Sequence, residues 1–305
     1  MIESHDAVGA ATMNAPSAPC VVPDPRFGAA TDVGRLRSVN EDGYLAIAPA
    51  FVVVDGMGGH AAGRMATQVA LDALYSLAGT RVTSVETVVQ AVIAAQEAIV
   101  AIPSHAAFLP GATIAGVILA WLEDEQRVAR PTWIIFNIGD ARVYLLREDM
   151  LSQITRDHSR VQILIETGEL TPEQARRDPR RNIVTRALGG GIADSAVPDL
   201  YCVPVAVGDR LLVCSDGLSD ELDDEAIATV LAAGYTVQRT AELLVAASLE
   251  GGGHDNPTAV VLDATEVPAG VPDAVQGEAH SEAHGEAHSE VDGEDHGEVG
   301  AEGAQ

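Results

Sequence analysis

Phe51-Val52-Val53-Val54-Asp55-Gly56-Met57-Gly58-Gly59-His60 is an apolar run that stops at a carboxylate, turns through glycines and leads into the alanine-rich stretch 61–77. The apolar residues, mostly β-branched, read as a buried strand. The Asp-Gly step lets the backbone turn sharply and leaves a short, stiff carboxylate at the strand's end. Segment 62–77 reads as an amphipathic helix. On the N-terminal side, 28–33 and 44–47 are further β-type runs, so strands precede the first helix.

On the C-terminal side a second helix is expected over 85–101, announced by Thr83-Ser84-Val85-Glu86, read as a capping box with Thr83 as the cap. Strand character returns at 113–122, 133–138 and 142–146. Two short helices follow, 161–167 and one opened by Thr171-Pro172-Glu173-Gln174, and they make an excursion that reads as a flap over 159–181. Strand 210–213, helices near 225–233 and 237–249, and strand 259–262 close the series. Strands in groups and helices in pairs indicate an α+β layered fold rather than alternating α/β.

The step at Asp55 recurs. Asp42, Gly139-Asp140, Asp216-Gly217 and Asp255-Asn256 all lie at the ends of apolar runs. A single Asp-Gly is ordinarily a solvated turn, but a repeated strand-end carboxylate is a set of hard oxygen ligands, suited to Mg²⁺ or Mn²⁺ rather than zinc.

With these residues the sequence resembles the type 2C metal-dependent serine/threonine protein phosphatases, bacterial branch. The ordered segments are Thr31-Asp32-Val33-Gly34, Arg37-Ser38-Val39-Asn40-Glu41-Asp42, Val54-Asp55-Gly56-Met57-Gly58-Gly59-His60, Asn137-Ile138-Gly139-Asp140-Ala141-Arg142, Cys214-Ser215-Asp216-Gly217-Leu218 and Gly253-His254-Asp255-Asn256. Asp157-His158-Ser159 and 182–189 resemble segments that flank the flap. Each motif alone is weak; the series in order is specific.

The resemblance implies a four-layer α-β-β-α sandwich, two central antiparallel sheets flanked by helix pairs, with a metal site at one end. It implies two Mn²⁺ or Mg²⁺ ions, and a third in many members. Asp55 matches the bridging carboxylate and Gly56 a carbonyl ligand. Asp216 and Asp255 match ligands of the second ion, while Glu41 and Asp42 match carboxylates that hold water. Asp140, with Asp216 and Asp220, matches the third position. Arg37 matches the residue that grips the substrate phosphate. Met57 stands where eukaryotic members carry a histidine proposed as general acid, which leaves His60 as the candidate proton donor beside an equally good structural role at the helix entry. Ala141, Ala112 and Pro257 also depart from the usual pattern, and none of them removes a ligand.

Composition narrows the partners. The net charge of −27 opposes nucleic acid. Segment 266–305 holds 11 acidic residues and no Lys or Arg, which leaves 34 acidic against 18 basic in the rest. That tail repeats Glu-Ala-His around His280, His284 and His288 and reads as solvated, disordered low-complexity sequence, while the leader 1–25, rich in Ala, Pro and small polar residues without periodicity, also reads as disordered. The foldable domain is therefore expected over 26–265. No run approaches the roughly 20 apolar residues of a membrane span, and the N-terminus carries no secretory pattern. Cys20, Cys202 and Cys214 form no even framework, so cytoplasmic residence is expected.

The spacing Cys20-x5-Arg26 mimics a cysteine-dependent phosphatase loop, but Pro23 and Pro25 cannot supply the backbone N–H groups such a loop needs. The expected partners are phosphorylated proteins, a serine/threonine kinase or its substrates. The competing reading is a catalytically inactive phosphoprotein-binding scaffold of the same fold, against which Asp42, Asp55, Asp216 and Asp255 are all retained. The flap arginines Arg176, Arg177, Arg180 and Arg181 read either as a solvated face or as a device that steers acidic phosphosubstrates.

Overall fold

The structure is a computed structural model and describes residues 23–103, 109–192 and 197–266. The expected leader up to residue 22, Cys20 with it, and the tail from 267 lie outside the described residues, as does the side chain of His60.

Eleven strands form two antiparallel sheets among these residues. One sheet runs β2 (Asp42–Ile47), β3 (Ala50–Met57), β4 (Gly111–Glu123), β5 (Ala129–Ile138) and β9 (Asp199–Pro204), with the two-residue β8 (Leu188–Gly189) against β4. The other runs β1 (Pro23–Thr31), β11 (Thr258–Glu266), β10 (Arg210–Cys214), β6 (Arg142–Arg147) and β7 (Met150–Gln153). Strand β1 starts ahead of the expected boundary at Arg26. It lies at the sheet's edge, where Pro23 and Pro25 leave no interior ladder donor missing.

The period-two pattern of β3 builds the layers. Phe51 and Val53 face the second sheet, packing with Trp133, Ile135, Val143, Val213 and Val260. Val52 and Val54 face the other way, into a core shared with α1 (His60–Leu74) and α2 (Val85–Val100). On the far side, Tyr144, Leu212 and Val261 pack against α6 (Asp224–Ala232) and α7 (Val237–Gly251). These are the four layers expected from the sequence. Helix α2 is capped by Ser84, which accepts from the Glu86 amide, rather than by Thr83. The flap holds α3 (Arg160–Glu166) and α4 (Pro172–Ala175), the latter with the full Thr171/Gln174 capping box. The four-residue α5 (Asp216–Ser219) follows β10.

No helix among the described residues is long and apolar enough to cross a membrane. Cys202 and Cys214 are unpaired.

Candidate metal centre

The β2–β3 hairpin places Asp42 directly opposite Asp55 in the antiparallel register. Like charges facing across a ladder repel, so this pair needs a counter-charge. Asp216 arrives as the first residue of α5, at the end of β10, and Asp255 precedes β11. Asp140 sits in the turn between β5 and β6. Gly139 makes that turn with φ +105°, and a Cβ there would fall 2.3 Å from Thr113 Cβ.

Burial lifts the Asp42 carboxyl to about 8, with Asp216 and Asp255 adding repulsion. It lifts Asp216 to about 7, with Asp220 and Asp255 repelling and a hydrogen bond to Asp55 working the other way. Asp55 is held well above the ordinary carboxylate range by burial and by Asp42, Asp216, Asp140 and Asp255. Asp140 is raised in the same way, by burial and by Asp216, and burial also raises Asp220. Buried oxygens Asp140 Oδ1 and Asp216 Oδ1 accept no hydrogen bond. Crowded, proton-hungry carboxylates with unpartnered oxygens are a donor set for hard cations.

As the side chains stand, no group of three or more His, Cys, Asp or Glu among the described residues is arranged to hold a metal ion. Two of the carboxylates are engaged in short hydrogen bonds. Thr258 Oγ1 donates to Asp42 Oδ2 at 2.6 Å, and Arg37 Nη2 donates to Asp255 Oδ2 at 2.5 Å. The chemistry of the cluster nonetheless fits divalent cations.

Backbone carriers are fixed more tightly. The Glu41 amide donates to Asn256 Oδ1 at 2.9 Å, and Asn256 Nδ2 donates to the carbonyls of Val33 and Val39. One side chain thus ties the loop of Arg37 and Glu41 to that of Asp255. Glu41 O accepts from Thr67 Oγ1 and from the Gly56 amide. Gly56 lies against Gly63 in the first turns of α1, where a Cβ on Gly63 would stand 2.3 Å from Glu41 Oε1. His158 Nδ1 accepts from the Gly139 amide at 3.0 Å and its own amide donates to Gly139 O, which braces the Asp140 turn.

The structure therefore brings Glu41, Asp42, Asp55, Gly56, Asp140, Asp216 and Asp255 to one end of the sheets, with Asp220 and Arg37 at the rim. His60 is the first residue of α1. A cleft of about 330 Å³ opens beside Arg37 and Asp255, lined also by Arg176, Arg181 and His254. A pocket of about 30 Å³ lies between Asp140, Asp216 and Asp220. Asn256, Thr258, Gly63 and His158 carry supporting roles that the sequence reading did not assign. Asn256 and His158 do lie within quoted motif segments, which was the available signal.

Fold and site define a layered α-β-β-α protein with an acidic centre suited to divalent cations. Residues 37–250 match the family described as Protein phosphatase 2C. The chain is 37% identical over 246 residues to the serine/threonine protein phosphatase PstP of Mycobacterium tuberculosis, covering 79% of this chain but 45% of that protein's length. It is 32% identical over 247 residues to the serine/threonine phosphatase stp of Listeria innocua, covering 76% of this chain and 93% of that protein. The crystal structure of the PstP catalytic domain in complex with two manganese ions superposes with a TM-score of 0.70 at 35% identity, over 80% of this chain and all of that one. The chain belongs to the protein phosphatase 2C family.

Proposed function

We propose that the chain is a protein serine/threonine phosphatase that hydrolyses phosphoserine and phosphothreonine with two Mn²⁺ or Mg²⁺ ions, its catalytic unit spanning 23–266. The observation that carries this reading is the packing of Asp42, Asp55, Asp216 and Asp255 together, with the Arg37 guanidinium paired to Asp255. The names of the relatives, serine/threonine phosphatases over most of this chain, support it.

In this reading Asp55 and the Gly56 carbonyl hold the ions together with Asp216 and Asp255, and Glu41 and Asp42 orient water beside them. Asp140, Asp216 and Asp220 would hold a third ion in the small pocket. Bound there, divalent cations would supply positive charge and lower the pKa of water for attack on phosphorus. Arg37 exchanges Asp255 for two phosphate oxygens, which its planar fork of donors fits. His60 is the candidate donor of a proton to the leaving serine or threonine oxygen. No covalent nucleophile from the protein is required in this reading.

We place the protein in the cytoplasm and take its partner to be a serine/threonine kinase or that kinase's substrates. The inactive-scaffold reading is weakened by the retained carboxylates. The test is release of nitrophenol from para-nitrophenyl phosphate with Mn²⁺, then with chelator. Turnover that is absent, or that survives chelation, refutes the reading.

A further inference from the structure

The four flap arginines that look alike in the sequence are separated by the structure. Arg180 binds both oxygens of Asp178, at 2.8 Å each, so its charge is answered within the flap. Arg176 gives both Nη groups to the carbonyls of Ser219 and Leu222, the shortest contact being 2.6 Å, and so fastens the flap to the segment from α5 to α6. Arg177 lines neither the cleft nor the small pocket.

Arg181 is different. It lines both cavities, its side chain is 42% exposed, and its ion pair with Asp220 spans 3.5 Å, longer than every other ion pair among the described residues. Its backbone is held in place, since its amide donates to Asp178 O. Three carboxylates share the cleft with it. Within the cleft, Asp255 is held by Arg37 and Glu221 Oε1 by His254 Nδ1 at 2.6 Å, which leaves Asp220 as the cleft carboxylate paired with Arg181.

We propose that Arg181, with Asn182 beside it, forms a subsite for a second anionic group on the substrate, a carboxylate or a second phosphate flanking the phosphorylated serine or threonine. The proposal rests on the phosphatase reading, because Arg37 on the same cleft is where the first phosphate is placed. A guanidinium with one loose partner exchanges that partner at small cost for an anion that meets its fork of donors. The overall charge makes such a subsite useful. A chain at −27 repels acidic substrates at long range, and a loosely paired cation beside Arg37 offsets that repulsion locally.

The experiment measures kcat/KM with Mn²⁺ on three phosphothreonine peptides that differ only in the flanking residue, aspartate, phosphoserine or lysine. Mass spectrometry reads which phosphate leaves. The wild type is expected to favour either anionic flank over lysine by about fivefold, the size of a half-exposed charge pair, with the preference shrinking as salt rises. Arg181→Gln abolishes the preference and Arg181→Glu reverses it. Ratios taken within one variant cancel any general loss of activity. Preference for the phosphoserine flank alone assigns the subsite to phosphate, and preference for both assigns it to anions generally. Equal kcat/KM on the three peptides, or a preference that survives Arg181→Glu, overturns the subsite and leaves the phosphatase reading standing. Absence of Mn²⁺-dependent hydrolysis on every peptide overturns both.

Discussion

Asp42 and Asp55 face each other across a β-ladder, an arrangement that repulsion disfavours and that a proton or a cation relieves. Replacing Asp55 with Asn removes one ionisable carboxyl from the cluster and keeps the side chain's shape. Two effects of opposite sign are expected. Mn²⁺-dependent turnover falls by at least about a hundredfold, while the melting temperature in chelator rises by about 3 °C, the shift of roughly 1 kcal/mol for a domain of this size. A lower melting temperature in chelator would mean that the cluster is not repulsive. Asn256 gives the complementary case, since its value lies in polar contacts. Asn256→Ala strands the buried Glu41 amide and the carbonyls of Val33 and Val39. A loss of about 3 kcal/mol in urea unfolding is expected; a loss below about 1 kcal/mol would show that water replaces the amide.

At the scale of elements, the site depends on how closely α1 approaches the end of β3. Gly63 makes this possible, because any Cβ would collide with the Glu41 carboxylate and lie 3.0 Å from the Gly56 carbonyl. Ala at 63 favours the helix by up to about 1 kcal/mol, but it displaces two groups assigned to the cations. Gly63→Ala should therefore weaken Mn²⁺ binding by about tenfold or more, as support-shell changes do, read by calorimetric titration; unchanged affinity would detach Glu41 and Gly56 from the site. This contact has no signature in the sequence, since residues 41, 56 and 63 meet only after the hairpin and helix have packed. What was legible was local: the apolar run of β3, the alternation and β-branched residues of β4, the Thr171-Pro172 cap and the strand-end aspartates. Strand β9 escaped because it is an edge strand of half-exposed residues ending in Pro204, with little apolar contrast. Helix α5 has four residues and so no periodicity to read. The flap arginines could be counted in the sequence, but their separation depends on carbonyls some 40 residues away.

For the whole molecule, the raised carboxyls couple folding, protons and cations. A group whose pKa is higher in the folded than in the unfolded chain binds more protons when folded, so stability falls as pH rises between the two values. Asp42 moves from 3.8 to about 8 and Asp216 from 3.8 to about 7, chiefly through burial, and Asp55 and Asp140 shift in the same direction. In chelator, the protein should lose stability steadily from about pH 4 to about pH 8, where most proteins dependent on paired carboxylates hold steady or gain. Cations compete with those protons for the same oxygens. The rise in melting temperature on adding Mn²⁺ should therefore be larger at pH 8 than at pH 6, with protons released to the buffer on binding. Thermal melts at the two pH values, with and without Mn²⁺, measure this directly. A chelated protein whose melting temperature is flat over this range, or a Mn²⁺ shift independent of pH, would mean that the four aspartates do not share one crowded centre.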